Sequence, residues 1–134
     1  MKLEDYLTDY EMYIFACLSN KIKGKTIAKM INRHPTSVSL WKKKIKEKLK
    51  QSFFIERNKE YIDGLLIKFP KQRRKIFYDL FKYRNKRYVS IINGTHPEAI
   101  WTFMKSFKEA VRKEDTDQAQ QLLEITTKLS WTRK

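Results

Sequence analysis

Residues 24–49 carry the apolar spacing that most restricts the fold of this chain. Ile27 and Ile31 are four residues apart, as on one face of a short helix, and Ala28 is small enough for a second helix to cross closely. Pro35 then interrupts the pattern. A second stripe with helical spacing follows at Val38, Trp41, Ile45 and Leu49. The spacing predicts two helices, joined by a short connection, that pack against each other.

The connection between these two helices favours a helix-turn-helix. Thr36 or Ser37 is expected to cap the second helix. Asn32 lies where such a motif usually has glycine, and asparagine tolerates the left-handed backbone of the turn. Arg33 departs from the pattern, because an apolar residue is usual there. The alternative is an ordinary helical hairpin with a solvated basic face.

The outward face of the second predicted helix is polar and basic, as in helices that enter the DNA major groove. Side chains near its N-terminus are expected to reach base edges, whereas the lysines are expected to contact phosphates. The predicted contacts with double-stranded DNA are Lys25, Thr26, Arg33, His34, Thr36, Ser37, Ser39, Leu40, Lys42, Lys43 and Lys44.

The formal net charge of +15 is concentrated in the middle of the chain. Residues 21–50 hold eleven basic and one acidic residue, and residues 51–93 hold eleven basic and four acidic residues. Residues 1–20 and 94–134 carry net charges of only −3 and +1. This distribution favours a nucleic-acid partner, because basic side chains release counterions from it on binding. A membrane surface is less favoured, since the charge belongs to a folded motif.

Only three glycines and three prolines occur in 134 residues, which favours an all-α chain with few tight turns. Predicted helices over 8–19, 25–32 and 36–50 form a three-helix head, a DNA-binding domain of residues 1–50. Residues 51–134 are expected to form a helical region for oligomerisation and partner binding.

The location is predicted to be cytoplasmic. The sequence has no apolar run of 18 residues and no apolar signal segment after Met1. Its one cysteine, Cys17, cannot form an internal disulfide, and it is expected to be a buried packing residue.

Residues 71–92 combine aromatic and basic side chains, and two interpretations are open. The segment is either a stacking and phosphate surface for nucleic acid, or a helix with its apolar side chains inside. The second is favoured for the aromatic residues, with the inner face formed by Ile76, Phe77, Leu80, Phe81 and Tyr88. Some basic residues are still expected to support phosphate binding, and the candidates are Arg73, Arg74, Lys75, Arg84 and Arg87.

The last part of the chain predicts an antiparallel helical hairpin. Asn93-Gly94 is the clearest break, and Thr95 with Glu98 has the spacing of a capping box. The apolar faces of the two helices are wide, so they are expected to pack on residues 52–92 or on another copy of the chain. The candidate oligomerisation residues are Ile100, Phe103, Met104, Phe107, Val111, Leu122, Leu123 and Leu129.

No catalytic chemistry is indicated, and neither a cofactor nor a metal is expected. The first glycine of a phosphate-binding loop ending in Gly24-Lys25-Thr26 is replaced by Ser19. His34 and His96 are the only histidines and Cys17 the only cysteine, which is too few for a zinc site. The acidic residues Asp5, Asp9 and Glu11 are expected to be solvated or capping. No nucleophile stands beside a base.

The head residues Ile27-Ala28, Val38-Ser39 and Trp41-Lys42, followed by a helical middle and a final hairpin, are similar in layout to the small subunit of tailed-phage terminases. The segments His96-Pro-Glu-Ala-Ile-Trp101 and Asp117-Gln-Ala-Gln-Gln-Leu-Leu123 resemble the helices of that family's final segment. The resemblance covers most of the chain in layout rather than in specific residues.

This resemblance implies that the heads of a ring-shaped oligomer recognise viral DNA for genome packaging. The ring then presents the DNA to a large subunit that holds the ATPase and the nuclease, in the bacterial or host cytoplasm. Residues 36–44 would contact DNA, and residues 52–131 would form the ring and partner contacts. The basic segment 71–92 departs from a family whose oligomerisation region is often acidic or neutral.

Other functions fit the same residues. A dimeric transcription regulator of a phage or mobile element would use the same head, and the oligomeric state separates a dimer on a palindromic site from a closed ring. A non-specific nucleic-acid-binding protein would show steep salt dependence with little sequence preference. A small nuclease using the N-terminal acids would require metal-dependent cleavage.

Overall fold

The computed structural model describes residues 1–129, which contain eight α-helices, a 3-10 helix at Leu3–Asp5 and no strand. The predicted all-α class is confirmed. None of the helices in this described part is long and apolar enough to cross a membrane. The helices are α1 (Asp9–Ser19), α2 (Gly24–Met30), α3 (Pro35–Arg57), α4 (Lys59–Leu66), α5 (Gln72–Tyr83), α6 (Lys86–Ile92), α7 (Pro97–Arg112) and α8 (Asp117–Leu129).

The chain divides into two compact units, and the division lies inside α3. The first unit comprises Met1–Phe54, and the second begins at Ile55. The third helix runs past the predicted end at residue 50 to Arg57, and α4 begins two residues later. The predicted ranges 51–134 and 52–131 end outside the described residues, and the roles assigned to them remain predictions.

A capping box fixes the start of α1. The Thr8 hydroxyl accepts the Glu11 N–H at 3.2 Å, and Glu11 Oε1 accepts the Thr8 N–H at 2.9 Å. Two of the donors that a helix start leaves without partners are satisfied in this way.

Two histidines, rather than threonine or serine, cap the helices that begin with proline. His34 Nδ1 accepts the Thr36 N–H at 3.1 Å, so Thr36 lies inside the first turn of α3 and does not cap it. At α7, His96 Nδ1 accepts the Glu98 N–H at 3.1 Å and Pro97 is the first helical residue. The caps predicted at Thr36 or Ser37 and at Thr95 are therefore wrong by one to three residues.

Three helices end in a left-handed residue with the hydrogen bonds of a Schellman motif. Lys21, Asn32 and Gly94 have φ of 60°, 57° and 59°. The residue after each donates its N–H to a carbonyl five residues back, as from Arg33 to Ala28 at 2.8 Å. The connection between α2 and α3 thus depends on backbone groups. The Arg33 side chain is exposed and does not constrain the turn.

Replacing Lys21 with glycine is expected to stabilise the protein by about 1 kcal/mol, because a side chain with a β-carbon is strained in the left-handed region. Urea unfolding measures the change. Lys46→Gly is the matched control, since Lys46 is exposed in the interior of α3 and glycine there costs about 1 kcal/mol. A loss of stability in Lys21→Gly would contradict the strain argument.

The final hairpin packs inside its own chain. Helices α7 and α8 pack against each other, and α7 also contacts α4 and α6. Aromatic side chains join α5 and α7: the Phe107 ring centroid lies 5.2 Å from that of Phe77 on α5, and 5.9 Å from that of Phe103 on its own helix. The hairpin is predicted to pack on residues 52–92 or on another copy of the chain, and in this structure it packs on residues 52–92.

The structure corrects the surface assigned to oligomerisation. Seven of the eight candidate side chains are buried in the second unit, and Leu123 is half-buried. Burial within one chain leaves little of their surface for another copy, so we assign them to the core. The buried seven are Ile100, Phe103, Met104, Phe107, Val111, Leu122 and Leu129.

Candidate nucleic-acid interface

Three helices of the first unit share one buried cluster that sets the position of α3. Cys17 from α1, Ile27 and Ala28 from α2, and Val38 from α3 pack together. Ala28 is buried, in keeping with the small residue that a close crossing requires. Leu18, Ile22 and Ile31 pack against the edge of this cluster.

The connection between α2 and α3 comprises residues 31–34. Asn32 takes the left-handed conformation that its sequence predicts, and His34 closes the turn by capping α3. The side chains of Thr36 and His34 also contact each other, with Thr36 Oγ1 3.0 Å from His34 Nδ1. These two predicted DNA-contact residues therefore also hold the start of the helix.

The first turns of α3 present a polar and basic face to solvent. Leu40 is 57 % exposed and stands among hydroxyl and ammonium groups. Ser37 is half-buried beside them. The exposed members of this face, which we call the α3 face, are Thr36, Ser39, Leu40, Lys42, Lys43 and Lys44. The other predicted contacts Lys25, Thr26, Arg33 and His34 are also exposed.

Trp41 lies at the margin of the core rather than inside it. It is half-buried and makes an edge contact with Tyr10, with ring centroids 5.1 Å apart. Lys44 Nζ lies 5.2 Å from the centroid of the same ring, which is within the range of a cation–π interaction. The apolar stripe predicted for α3 is therefore buried at Val38 and Ile45 and half-buried at Trp41 and Leu49.

One lysine of the basic residues 21–50 is buried rather than exposed. Lys48 Nζ donates to Glu11 Oε1 at 2.7 Å, and both side chains are buried. Sequence reasoning missed this ion pair, although Lys48 follows the buried Ile45 by three residues. Residues 21–50 therefore have one fewer lysine available to bind a phosphate than their sequence indicates.

The five predicted secondary phosphate contacts have unequal surroundings. Arg74 Nε and Nη2 each donate to an Asp63 oxygen at 3.0 Å, and these hydrogen bonds raise the pKa of Arg74. Lys75 Nζ lies 2.7 Å from Asp79 Oδ2. These pairings weaken Arg74 and Lys75 as phosphate ligands.

The remaining three basic residues differ in their contacts. Arg73 is half-buried and its Nη1 donates to Gln72 at 3.4 Å. Arg84 Nε donates to the Phe81 carbonyl at 3.1 Å. Arg87 is exposed. Arg87 is thus the best placed of the five to contact an anion in solution.

The described residues show no group of three or more His, Cys, Asp or Glu side chains that could hold a metal ion. Of the N-terminal acids, Glu11 is occupied by the capping box and by Lys48. Cys17 is buried in the three-helix cluster, as its sequence position predicts.

No protein-family model, no curated protein and no solved structure matches this chain.

Proposed function

We propose that this chain is a non-enzymatic protein that binds duplex DNA through the α3 face. The observation that carries the proposal is the exposed cluster of polar, basic and apolar side chains on the first turns of α3. This helix is fixed on α1 and α2 by a buried cluster and follows a four-residue connection. A helix held in this way can enter the major groove with its N-terminal residues toward the bases.

The side chains of the α3 face divide into two groups by chemistry. Ser39 can bond to base edges, and the exposed Leu40 can contact a thymine methyl group. Lys42, Lys43 and Lys44 are suited to phosphates, which supply affinity without sequence information. Because these residues lie on a helix packed against a core, an anionic membrane surface is a weaker match than the groove of a duplex.

The wider role that we propose is that of a terminase small subunit, which recognises viral DNA and presents it to a large packaging ATPase and nuclease. The proposal depends on the layout of head, helical middle and final hairpin. Light-scattering mass in solution tests it: a closed ring supports packaging, whereas a dimer that binds a palindromic site supports a transcription regulator. Cleavage of the duplex in Mg²⁺ or Mn²⁺ would contradict a non-enzymatic function.

Replacing Lys42 and Lys43 with alanine is expected to weaken binding to every duplex sequence. Each lost phosphate contact removes about 0.9 from the slope of log K against log salt, so the double variant should lose about 1.8. Fluorescence anisotropy with a labelled duplex across a salt series measures both quantities.

The control for this experiment removes two exposed lysines from the second unit, as Lys105→Ala and Lys113→Ala. It lowers the net charge equally but leaves the α3 face intact, so its salt slope should stay close to that of the unaltered protein. Equal slopes in all three proteins would rule out the α3 face as the duplex contact.

A further inference from the structure

The connection between α5 and α6 holds two tyrosine rings in contact. We call residues 82–88 the α5–α6 corner. Arg84 takes a left-handed conformation after α5, and Asn85 caps α6 by accepting the Tyr88 N–H at 2.9 Å. The Tyr83 and Tyr88 rings meet edge to face, with their centroids 4.9 Å apart. The Asn85 cap therefore holds the backbone of Tyr88, and Tyr83 contacts its ring.

Tyr88 remains 44 % exposed despite this contact. Its sequence spacing favours a place in the core beside Ile76, Phe77, Leu80 and Phe81, and that prediction is wrong for Tyr88 alone. The other four are buried on α5, whereas Val89 and Ser90 are the buried residues of α6. Tyr88 is thus a fixed aromatic ring on the surface of the second unit.

The α5–α6 corner is also strongly basic. Lys82, Arg84, Lys86 and Arg87 lie within six residues, and no acidic residue occurs between Asp79 and Glu98. Lys82 Nζ lies 5.2 Å from the Tyr83 ring centroid, and Asp79 is engaged by Lys75 and Asn93. Within residues 1–129, no carboxylate forms an ion pair with Lys86 or Arg87.

We propose that the α5–α6 corner is a binding site for single-stranded nucleic acid, in which an unpaired base stacks on Tyr88 and the flanking phosphates bind Lys86 and Arg87. An aromatic ring set among cations is the arrangement that binds single strands, because every base has a face that can stack. A duplex does not offer such a face, since its bases are already stacked on one another. The site lies wholly in the second unit and does not depend on the duplex contact proposed for α3.

The experiment compares two ligands that carry the same backbone charge. Labelled oligothymidine and an abasic oligonucleotide of equal length are titrated with the full chain, and anisotropy gives both affinities. Stacking of one base is expected to favour oligothymidine by about fivefold or more. Tyr88→Ala should abolish this preference, and Tyr88→Phe should retain it. An oligouridine arm shows whether RNA serves as well.

Tyr13→Ala is the matched control, because Tyr13 is 45 % exposed on α1 and lies outside the corner. It should leave the base preference intact. Equal affinity of the unaltered protein for both ligands, or a preference that survives in Tyr88→Ala, would overturn the proposal.

A second variant tests the phosphate contacts without changing the rings. Lys86→Ala with Arg87→Ala should lower the salt slope for oligothymidine by about 1.4 and keep the preference for bases. An unchanged slope would remove both residues from the site. Lys42→Ala with Lys43→Ala should weaken duplex binding but leave this base preference unchanged, so failure of the α3 face and failure of the α5–α6 corner give different results.

Discussion

Replacing Lys48 with alanine is expected to destabilise the protein by about 3–5 kcal/mol. The substitution leaves the Glu11 carboxylate buried without its cation, and an unpaired buried charge is far more costly than an unpaired exposed one. It also disturbs the start of α1, because the same Glu11 oxygen accepts the Thr8 N–H. Urea unfolding followed by circular dichroism measures the loss.

Two variants separate the buried charge from the helix position. Lys46→Ala removes an exposed lysine from the same helix and should change stability by less than about 0.5 kcal/mol. The double variant Glu11→Gln with Lys48→Met removes both charges and keeps a side chain that can complete the capping box. It should recover much of the loss. A Lys48→Ala protein as stable as Lys46→Ala would show that the pair contributes nothing.

Replacing Phe107 with alanine is expected to cost about 3–5 kcal/mol, because it opens a cavity at the centre of the second unit. Phe107 has no exposed surface, and its ring contacts those of Phe69, Phe77 and Phe103. These rings come from α5, α7 and the segment before α5, so the cavity would loosen several elements together. The melting temperature should fall by roughly 10 °C or more, as measured by differential scanning calorimetry.

Trp101→Ala is the control for this prediction. Trp101 lies on the same helix, but it is 43 % exposed and its ring contacts Lys105. We expect its truncation to cost less than about 1 kcal/mol, because solvent already covers much of its surface. Similar losses in Phe107→Ala and Trp101→Ala would contradict the core position of Phe107.

Short-range patterns predicted some of the features that depend on neighbouring residues, although they misplaced the caps of α3 and α7. The left-handed Asn32 and the inner face of α5 both involve residues within about one helical turn. Residues this close interact through geometry that the helix itself fixes. The scarcity of glycine and proline predicted the all-α class, because these two residues have the lowest helix propensities.

Apolar spacing along the sequence did not predict which side chains are exposed. Trp41 and Tyr88 both follow an apolar spacing, yet one is half-buried and the other exposed. The candidate site shows the same division. The sequence identified the basic face of α3, but it could not show that Arg74 and Lys75 are paired with carboxylates.

The sequence alone determined that this chain is helical, which residues form the inner faces of several helices, and that its middle carries a large positive charge. Only the tertiary structure decided which of those charges face solvent. It buried Lys48 against Glu11, 37 residues away, and it placed the apolar face of the final hairpin in the core. The physical reason is that periodicity shows which side of a helix avoids water, whereas packing between distant segments decides what covers that side.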